Sequence, residues 1–182
     1  MTSIIKADNI STVSGSGNIT IPTGVNIVGT DTASIYAPGM VVQMVHLPST
    51  NVTRAASSST SFVASNITNT ITPKFNNSKL VVRAATTINN NTNSNEHLIY
   101  TFYRSIGGGA FSNLRSGDWG IGQGYSAQSR IQIPTIAEIV DAPATTSAVT
   151  YTLYYRSYNG GTVEVPATTA EHCEMIIMEI AQ

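Results

Sequence analysis

The sequence is short of charge, of cysteine and of long apolar runs. Only 10% of its 182 residues are charged, against about a quarter in most globular proteins, and the formal net charge is -1. No cluster of Lys and Arg is present to neutralise phosphates, so no nucleic-acid partner is expected. The single cysteine, Cys173, excludes a disulfide framework within the chain. Because no segment has the length of a transmembrane helix or the pattern of a signal peptide, no membrane insertion is expected.

Helical periodicity is almost absent as well, and alternation with a period of two residues takes its place. With 41% apolar residues and little net charge, the chain can bury a core and is not expected to be disordered. Short strands separated by turn residues favour an all-β sandwich, and about eight antiparallel strands after Gly39 is the count of a jelly roll. The predicted strands are Gly39–Leu47, Ser61–Thr72, Lys79–Ile88, His97–Ile106, Ser129–Val140, Ala148–Tyr158, Gly161–Val165 and Cys173–Ala181.

Two glycine-rich turns are predicted to close hairpins. Asn159-Gly160-Gly161 has the residues of a tight turn with positive φ angles, and is predicted to join the strand ending near Tyr158 to Gly161–Val165. Gly107-Gly108-Gly109 lies between two strand-like segments and is predicted to form a second turn.

The last predicted strand is apolar on both faces. Ile176, Met178 and Ile180 fall on one face, and Met175 and Ile177 fall on the other. One face is expected to meet the core of the sandwich, and the other to meet another subunit, because exposed apolar strands promote association. The alternative is a strand in the middle of a large sheet beneath a covering loop.

No catalytic, metal or cofactor site is predicted. The histidines His46, His97 and His172 lack the spacing of metal ligands, and His172 and Cys173 are neighbours that would point to opposite faces of a strand. The acidic residues form no recognisable motif, although a pair of carboxylates brought together by folding would be the arrangement of a glycosidase. The chain is therefore not expected to be an enzyme.

The segment Phe111–Tyr125 has the composition of a binding loop. It holds the only tryptophan among amide and charged side chains, which suits a sugar ring that needs both stacking and hydrogen bonds. The alternative is that the tryptophan closes the open end of the core. The polar segment Asn89–Asn95 is a second candidate contact. The candidate glycan-binding residues are Arg115, Asp118, Trp119, Gln123 and Tyr125.

The segment Ser14–Asp31, SGSGNITIPTGVNIVGTD, contains two short alternating stretches around a Pro-Thr-Gly break. Alone, two such stretches bury too little apolar area to stay folded, so we expect them to be ordered only in an assembly. Residues 1–38 are predicted to be an N-terminal anchor and short β stem, and residues 39–182 a jelly-roll head. The candidate anchoring and stem residues are Ile4, Ile5, Ile19, Ile21, Val25 and Ile27.

Several stretches are similar to one known group of proteins. They are NSKL at Asn77–Leu80, DAPATTSAVTYTLYYRS at Asp141–Ser157, MIIMEIA at Met175–Ala181 and IIKADNI at Ile4–Ile10. Together they resemble the C-terminal domains of bacteriophage virion proteins, especially tail-fibre-like proteins of phages that infect marine bacteria and cyanobacteria. The resemblance covers nearly the whole chain and is looser in the first forty residues.

The resemblance implies a homotrimeric short fibre or spike whose jelly-roll head is similar to the tumour-necrosis-factor and C1q group, with one strand face buried at the three-fold axis. It implies a virion location after assembly in the host cytoplasm, attachment to other virion proteins through the N-terminal segment, and a role in host attachment. A capsid decoration or cement protein and a lectin-like module that binds host cell-surface polysaccharide are the alternatives. No repeat typical of a long fibre shaft is present.

Overall fold

The computed structural model describes residues 36–48, 52–92, 95–115, 117–127, 130–168 and 173–182. These residues form eleven strands and no helix, and therefore no helix that could span a membrane. The strands are β1 (Val41–Leu47), β2 (Ala55–Ser57), β3 (Val63–Ile71), β4 (Lys79–Asn90), β5 (Glu96–Ile106), β6 (Ser112–Asn113), β7 (Gly122–Ser126), β8 (Ile131–Asp141), β9 (Val149–Ser157), β10 (Val163–Val165) and β11 (Glu174–Ile180).

The strands form two antiparallel sheets. In sheet A the order is β1-β11-β4-β8, and β10 pairs with the far end of β4 and with β2. In sheet B the order is β3-β9-β5, and β6 and β7 share the free edge of β5. The eight longest strands are β1, β3, β4, β5, β7, β8, β9 and β11. Renumbered one to eight in chain order, they run 1-8-3-6 in sheet A and 2-7-4-5 in sheet B. This interleaved order is that of a jelly roll, so the predicted fold class of the head is confirmed.

The core lies between the two sheets, where alternate residues of each strand point inward. In β4, for example, Leu80, Val82 and Ala84 are fully buried, while the residues between them face outward. Each fully buried large apolar side chain contributes about 1.5–3 kcal/mol to folding. The largest buried side chains are Tyr151, Tyr155, Phe102, Ile67, Ile71, Leu80, Ile88, Leu98, Ile99, Leu153, Met175 and Ile177.

Each of the eight predicted strands corresponds to an observed one, but β2, β6 and β7 were missed. Residues 111–125, predicted to be a loop, contain β6 and most of β7. Two inward positions of β7 are glycines, Gly122 and Gly124, so the strand shows no apolar alternation. A Cβ at Gly124 would lie 2.8 Å from the Cδ1 atom of Ile88, which shows how closely the backbone of β7 approaches the core.

The predicted hairpin at Asn159-Gly160-Gly161 is wrong. The strand before it, β9, belongs to sheet B, whereas β10 after it pairs with β4 and β2 in sheet A, so the segment crosses between the sheets. Gly160 has the positive φ of +86° that the sequence suggested. The prediction failed because turn residues specify a local reversal and not the pairing of the strands that follow. The Gly107-Gly108 turn is confirmed, with positive φ at both residues between paired β5 and β6.

The prediction that Asn89–Asn95 is an exposed contact segment is also wrong for its first two residues. Asn89 and Asn90 are the last residues of β4 and are 0% and 2% exposed. The Asn89 side chain donates a hydrogen bond to the buried carboxylate of Glu164, which also forms an ion pair of 3.1 Å with Arg54. These amides are buried because β4 runs on to pair with β8 and β10.

Residues 1–35 of the predicted anchor and stem lie outside the described residues. This applies to Ser14–Asp31 and to all the candidate anchoring residues named above. The division into an anchor over residues 1–38 and a head over residues 39–182 stays a prediction.

Candidate functional site

The outward side of sheet A, called here the outer A face, carries an apolar row across four strands. Val140 of β8 pairs with Val81 of β4, Val81 with Met178 of β11, and Met178 with Met44 of β1. Because directly opposed residues point to the same side of a sheet, the four side chains form one continuous row. The side chains at its two ends are well exposed, Val140 by 64% and Met44 by 58%.

The neighbouring row of the outer A face is partly polar. Glu138 pairs with Arg83, Arg83 with Ile176, and Ile176 with His46. The His46 ring lies 3.3 Å from a carboxylate oxygen of Glu174, so polar groups flank the apolar row on this side. An apolar patch with a polar border is the usual composition of a protein contact surface.

The five residues predicted to form a subunit interface divide between two faces of β11. Met175 and Ile177 are 0% exposed and lie in the core, so they take no part in a surface. Ile176, Met178 and Ile180 are half-buried on the outer A face. The predicted two-sided strand is therefore present, and β11 lies between β1 and β4 inside sheet A. That another subunit covers the outward side stays a prediction.

Aromatic side chains cover part of the outward side of sheet B. The imidazole of His97 lies 4.5 Å from the ring of Tyr125, 5.3 Å from that of Trp119 and 5.4 Å from that of Tyr158. Trp119 stacks on Tyr158 with ring centroids 4.9 Å apart and an interplanar angle of 16°. Trp119, Tyr125 and Tyr158 are 43–47% exposed. We call these four residues the first aromatic group.

Strand pairing explains how this group forms. His97 of β5 pairs directly with Tyr125 of β7, and the Tyr158 N–H donates a hydrogen bond to the His97 carbonyl. Gln123 faces outward two residues before Tyr125, and its Oε1 atom lies 2.8 Å from Nδ1 of His97. An amide and an imidazole therefore lie among the exposed rings.

Arg156 connects the loop that carries Trp119 to sheet B. Its guanidinium donates hydrogen bonds to the carbonyl of Asp118 (2.6 Å) and to the carbonyl of Thr60 (3.0 Å). The same guanidinium lies over the Tyr158 ring, 5.8 Å from its centre, which is within the range of a cation–π contact. Arg156 thereby positions Trp119, and its guanidinium is occupied by these contacts rather than presented to solvent as a free charge.

A second aromatic group lies farther along sheet B. Tyr103 and Tyr154 stack at 3.9 Å with an interplanar angle of 19°, and Phe111 lies 6.0 Å from Tyr154. Phe62 lies 6.1 Å from Tyr103 and under the guanidinium of Arg156 at 5.4 Å. Phe111 is 41% exposed, so this group too has an accessible ring.

The structure brings together three of the five predicted glycan-binding residues: Trp119, Gln123 and Tyr125. Asp118 is exposed and supplies only its carbonyl to the contact with Arg156. Arg115 lies elsewhere, in a cleft beside strand β8. The alternative role of Trp119, closing the end of the core, does not fit its 46% exposure. Whether these residues bind a glycan stays a prediction.

His97 and Tyr158 belong to this group as well, although neither was predicted to be a binding residue. The usable signal was the period of two, because both residues occupy outward positions, His97 at the start of β5 and Tyr158 just after β9. Their partners Trp119 and Tyr125 come from a distant segment, so the contact itself depends on tertiary structure.

A cleft of about 620 Å³ lies between residues 114–115 and 120–121 on one side and strand β8 on the other, and is lined in part by Arg115, Glu138 and Asp141. The Asp141 carboxylate accepts hydrogen bonds from Arg104 (2.8 Å) and from the Tyr151 hydroxyl (2.6 Å). Burial and this bond to Asp141 raise the pKa of Tyr151. Asp141 is thus held in a structural network at the end of the sandwich.

The described residues contain no group of three or more His, Cys, Asp and Glu side chains that could hold a metal ion. Cys173 is buried, and burial raises the pKa of its thiol to about 11. At neutral pH the thiol is therefore protonated and unreactive.

Comparison with known proteins assigns no family. No protein-family model matches the chain, and no curated protein matches it. A chain in the structure of infectious bursal disease virus, Gx strain, is similar with a TM-score of 0.39 and 11% sequence identity. That match covers 86% of this chain but only 40% of the viral chain. The resemblance to phage tail-fibre proteins therefore stays a prediction.

Proposed function

We propose that this chain is a structural protein of a bacteriophage virion, of the short-fibre type, whose jelly-roll head forms a homotrimer through the outer A face. The observation that carries the proposal is the apolar row Val140–Val81–Met178–Met44. Two of its four side chains are more than half exposed in the isolated chain, and burying a Val or Met side chain contributes about 1.5–3 kcal/mol. The segment over residues 1–38 would join the head to another virion protein.

The mass of the purified protein in solution tests the trimer. Light scattering at micromolar concentration should give three times the chain mass of 19.2 kDa. The variants Val140→Lys and Met44→Lys place a charge at either end of the row, and each should shift the protein to monomer, because a buried unpaired charge is costly. Thr146→Lys, at an exposed residue of the β8–β9 connection, should stay trimeric. A monomer for the unmodified protein would contradict the proposal.

A second function, attachment to a host glycan, is favoured by the first aromatic group. Exposed rings stack against the C–H faces of sugars, and the amide of Gln123 offers hydrogen bonds to hydroxyls. The group lies on sheet B, whereas the proposed trimer contact lies on sheet A, so one molecule could use both.

Binding to an array of bacterial surface polysaccharides tests the attachment role. Trp119→Ala should reduce binding about tenfold, since an aromatic contact of this kind contributes about 1–1.5 kcal/mol. Arg115→Ala is the matched control, because Arg115 is exposed in the same segment but lines the cleft beside β8. Equal binding by Trp119→Ala and the unmodified protein would remove this role.

A further inference from the structure

We infer that sheet B binds an extended glycan chain over several consecutive sugars, with one aromatic group at each end of the bound segment. The inference rests on the attachment function proposed above and names the class of ligand. It follows from the relation between the two aromatic groups, each built from distant segments of the sequence and both placed by the fold on one surface.

The two groups share one side of sheet B. Tyr154 belongs to the second group and Tyr158 to the first, and residues an even number apart along an extended segment point to the same side. Four residues of extended chain span about 13 Å, which is longer than a single sugar ring. A ligand that contacts both groups must therefore contain more than one sugar.

The surface between the groups is continuous. Arg156 lies midway between Tyr154 and Tyr158, and its guanidinium contacts the Phe62 ring at 5.4 Å and the Tyr158 ring at 5.8 Å. The two terminal nitrogens of that guanidinium donate hydrogen bonds, Nη1 to the carbonyl of Thr60 and Nη2 to the carbonyl of Asp118. The Arg156 side chain is therefore held in place and forms the protein surface between the two groups.

Hydroxyl groups extend the same surface beyond the second group. Thr68 of β3 and Thr152 of β9 face each other with their hydroxyl oxygens 2.8 Å apart, and Thr70 and Thr150 repeat this pairing at 2.8 Å. Thr68 and Thr70 are exposed. A ladder of hydroxyls beside exposed rings offers both the hydrogen bonds and the stacking that successive sugars require.

The length dependence of binding tests the inference. Fragments of two to six sugars, prepared from a polysaccharide that the array identifies, are titrated by calorimetry against the full chain. Affinity should rise about tenfold or more from the disaccharide to the hexasaccharide, as expected when a second aromatic contact is added. Phe111→Ala should remove that gain and leave disaccharide binding at the first group unchanged, and Phe111→Leu, which keeps an apolar side chain but no ring, guards against a folding effect.

The outcomes distinguish the extended site from the attachment function on which it rests. Equal affinity for all fragment lengths, with no effect of either Phe111 variant, would overturn the extended site and leave attachment through the first group in place. Failure to bind any polysaccharide would overturn both, and if the surface instead captured a protein partner, the glycan inference would be wrong.

Discussion

The carboxylate of Glu179 accepts a hydrogen bond of 2.7 Å from the hydroxyl of Ser78, although both side chains are buried. The same carboxylate accepts the backbone N–H of Lys74 (2.9 Å) and of Phe75 (3.1 Å), and the side-chain amide of Gln43 (2.6 Å). Glu179 of β11 therefore fixes the turn before β4 and the edge strand β1.

Replacing Glu179 by Gln should lower the free energy of unfolding by about 3 kcal/mol, because an amide nitrogen would face donors that the carboxylate now satisfies. Urea unfolding at a fixed protein concentration measures the effect as a lower midpoint at unchanged slope. Asp118→Asn removes a carboxylate charge at an exposed position and should change stability by less than about 0.5 kcal/mol. Equal midpoints for the two variants would contradict this role of Glu179.

Stability should fall in acid. Burial disfavours the charged form of Glu179, but its hydrogen bonds from Gln43, Ser78, Lys74 and Phe75 outweigh burial and hold its pKa below 4.5. For Glu96, burial is likewise outweighed by hydrogen bonds from the 157–161 segment, and its pKa is also lowered.

A lowered folded-state pKa means that the stabilisation is complete above the unfolded value of 4.5 and is lost as the pH falls through the folded value. Unfolding free energies measured between pH of about 6 and about 3 should therefore decrease toward acid. The decrease should be shallower for Glu179→Gln, which has lost one of the titrating groups. Parallel curves for this variant and the unmodified protein would contradict the assignment.

Gly120 should be difficult to replace. Its φ of +57° is in the left-handed region, and an added Cβ would overlap the Tyr100 carbonyl oxygen. Gly120→Ala should cost about 1–3 kcal/mol and displace the adjacent Trp119. Thermal unfolding and the fluorescence of this single tryptophan measure both effects. Gly117→Ala is the control, since its Cβ would meet no atom within 4 Å, and a Gly120→Ala protein with unchanged melting and emission would argue against the constraint.

Arg156→Lys should loosen the Trp119 loop, because one ammonium group cannot reproduce the two directed bonds to Thr60 and Asp118. We expect a change in Trp119 emission and weaker glycan binding, with strands intact by circular dichroism. Arg115→Lys, in the same segment but away from the aromatic group, should leave the emission unchanged. Identical emission from the two variants would show that Arg156 does not position the loop.

The strands could be predicted because one side of each is buried. Alternation of apolar and polar residues over Lys79–Ile88 or Ala148–Tyr158 follows directly from the pleat of a half-buried strand. Strand β7 was not predicted, because glycines occupy its inward positions 122 and 124 and leave no apolar alternation. Side chains from other strands fill the core there.

The aromatic surface could be predicted only in part. Trp119, Gln123 and Tyr125 are close in sequence, and their composition indicated a binding surface. His97 and Tyr158 join them through pairing between β5, β7 and the end of β9, and such long-range pairing leaves no local mark on the sequence.

The sequence by itself determined the all-β class, the positions of most strands and the two-sided apolar character of β11, since each follows from local alternation and turn chemistry. Only the tertiary structure decided that the turn at Asn159-Gly160 crosses between sheets, that Met175 and Ile177 are core while Met178 is surface, and that two aromatic groups share sheet B. The physical reason is that register and sheet order arise from contacts between residues distant in the chain, which no local pattern specifies.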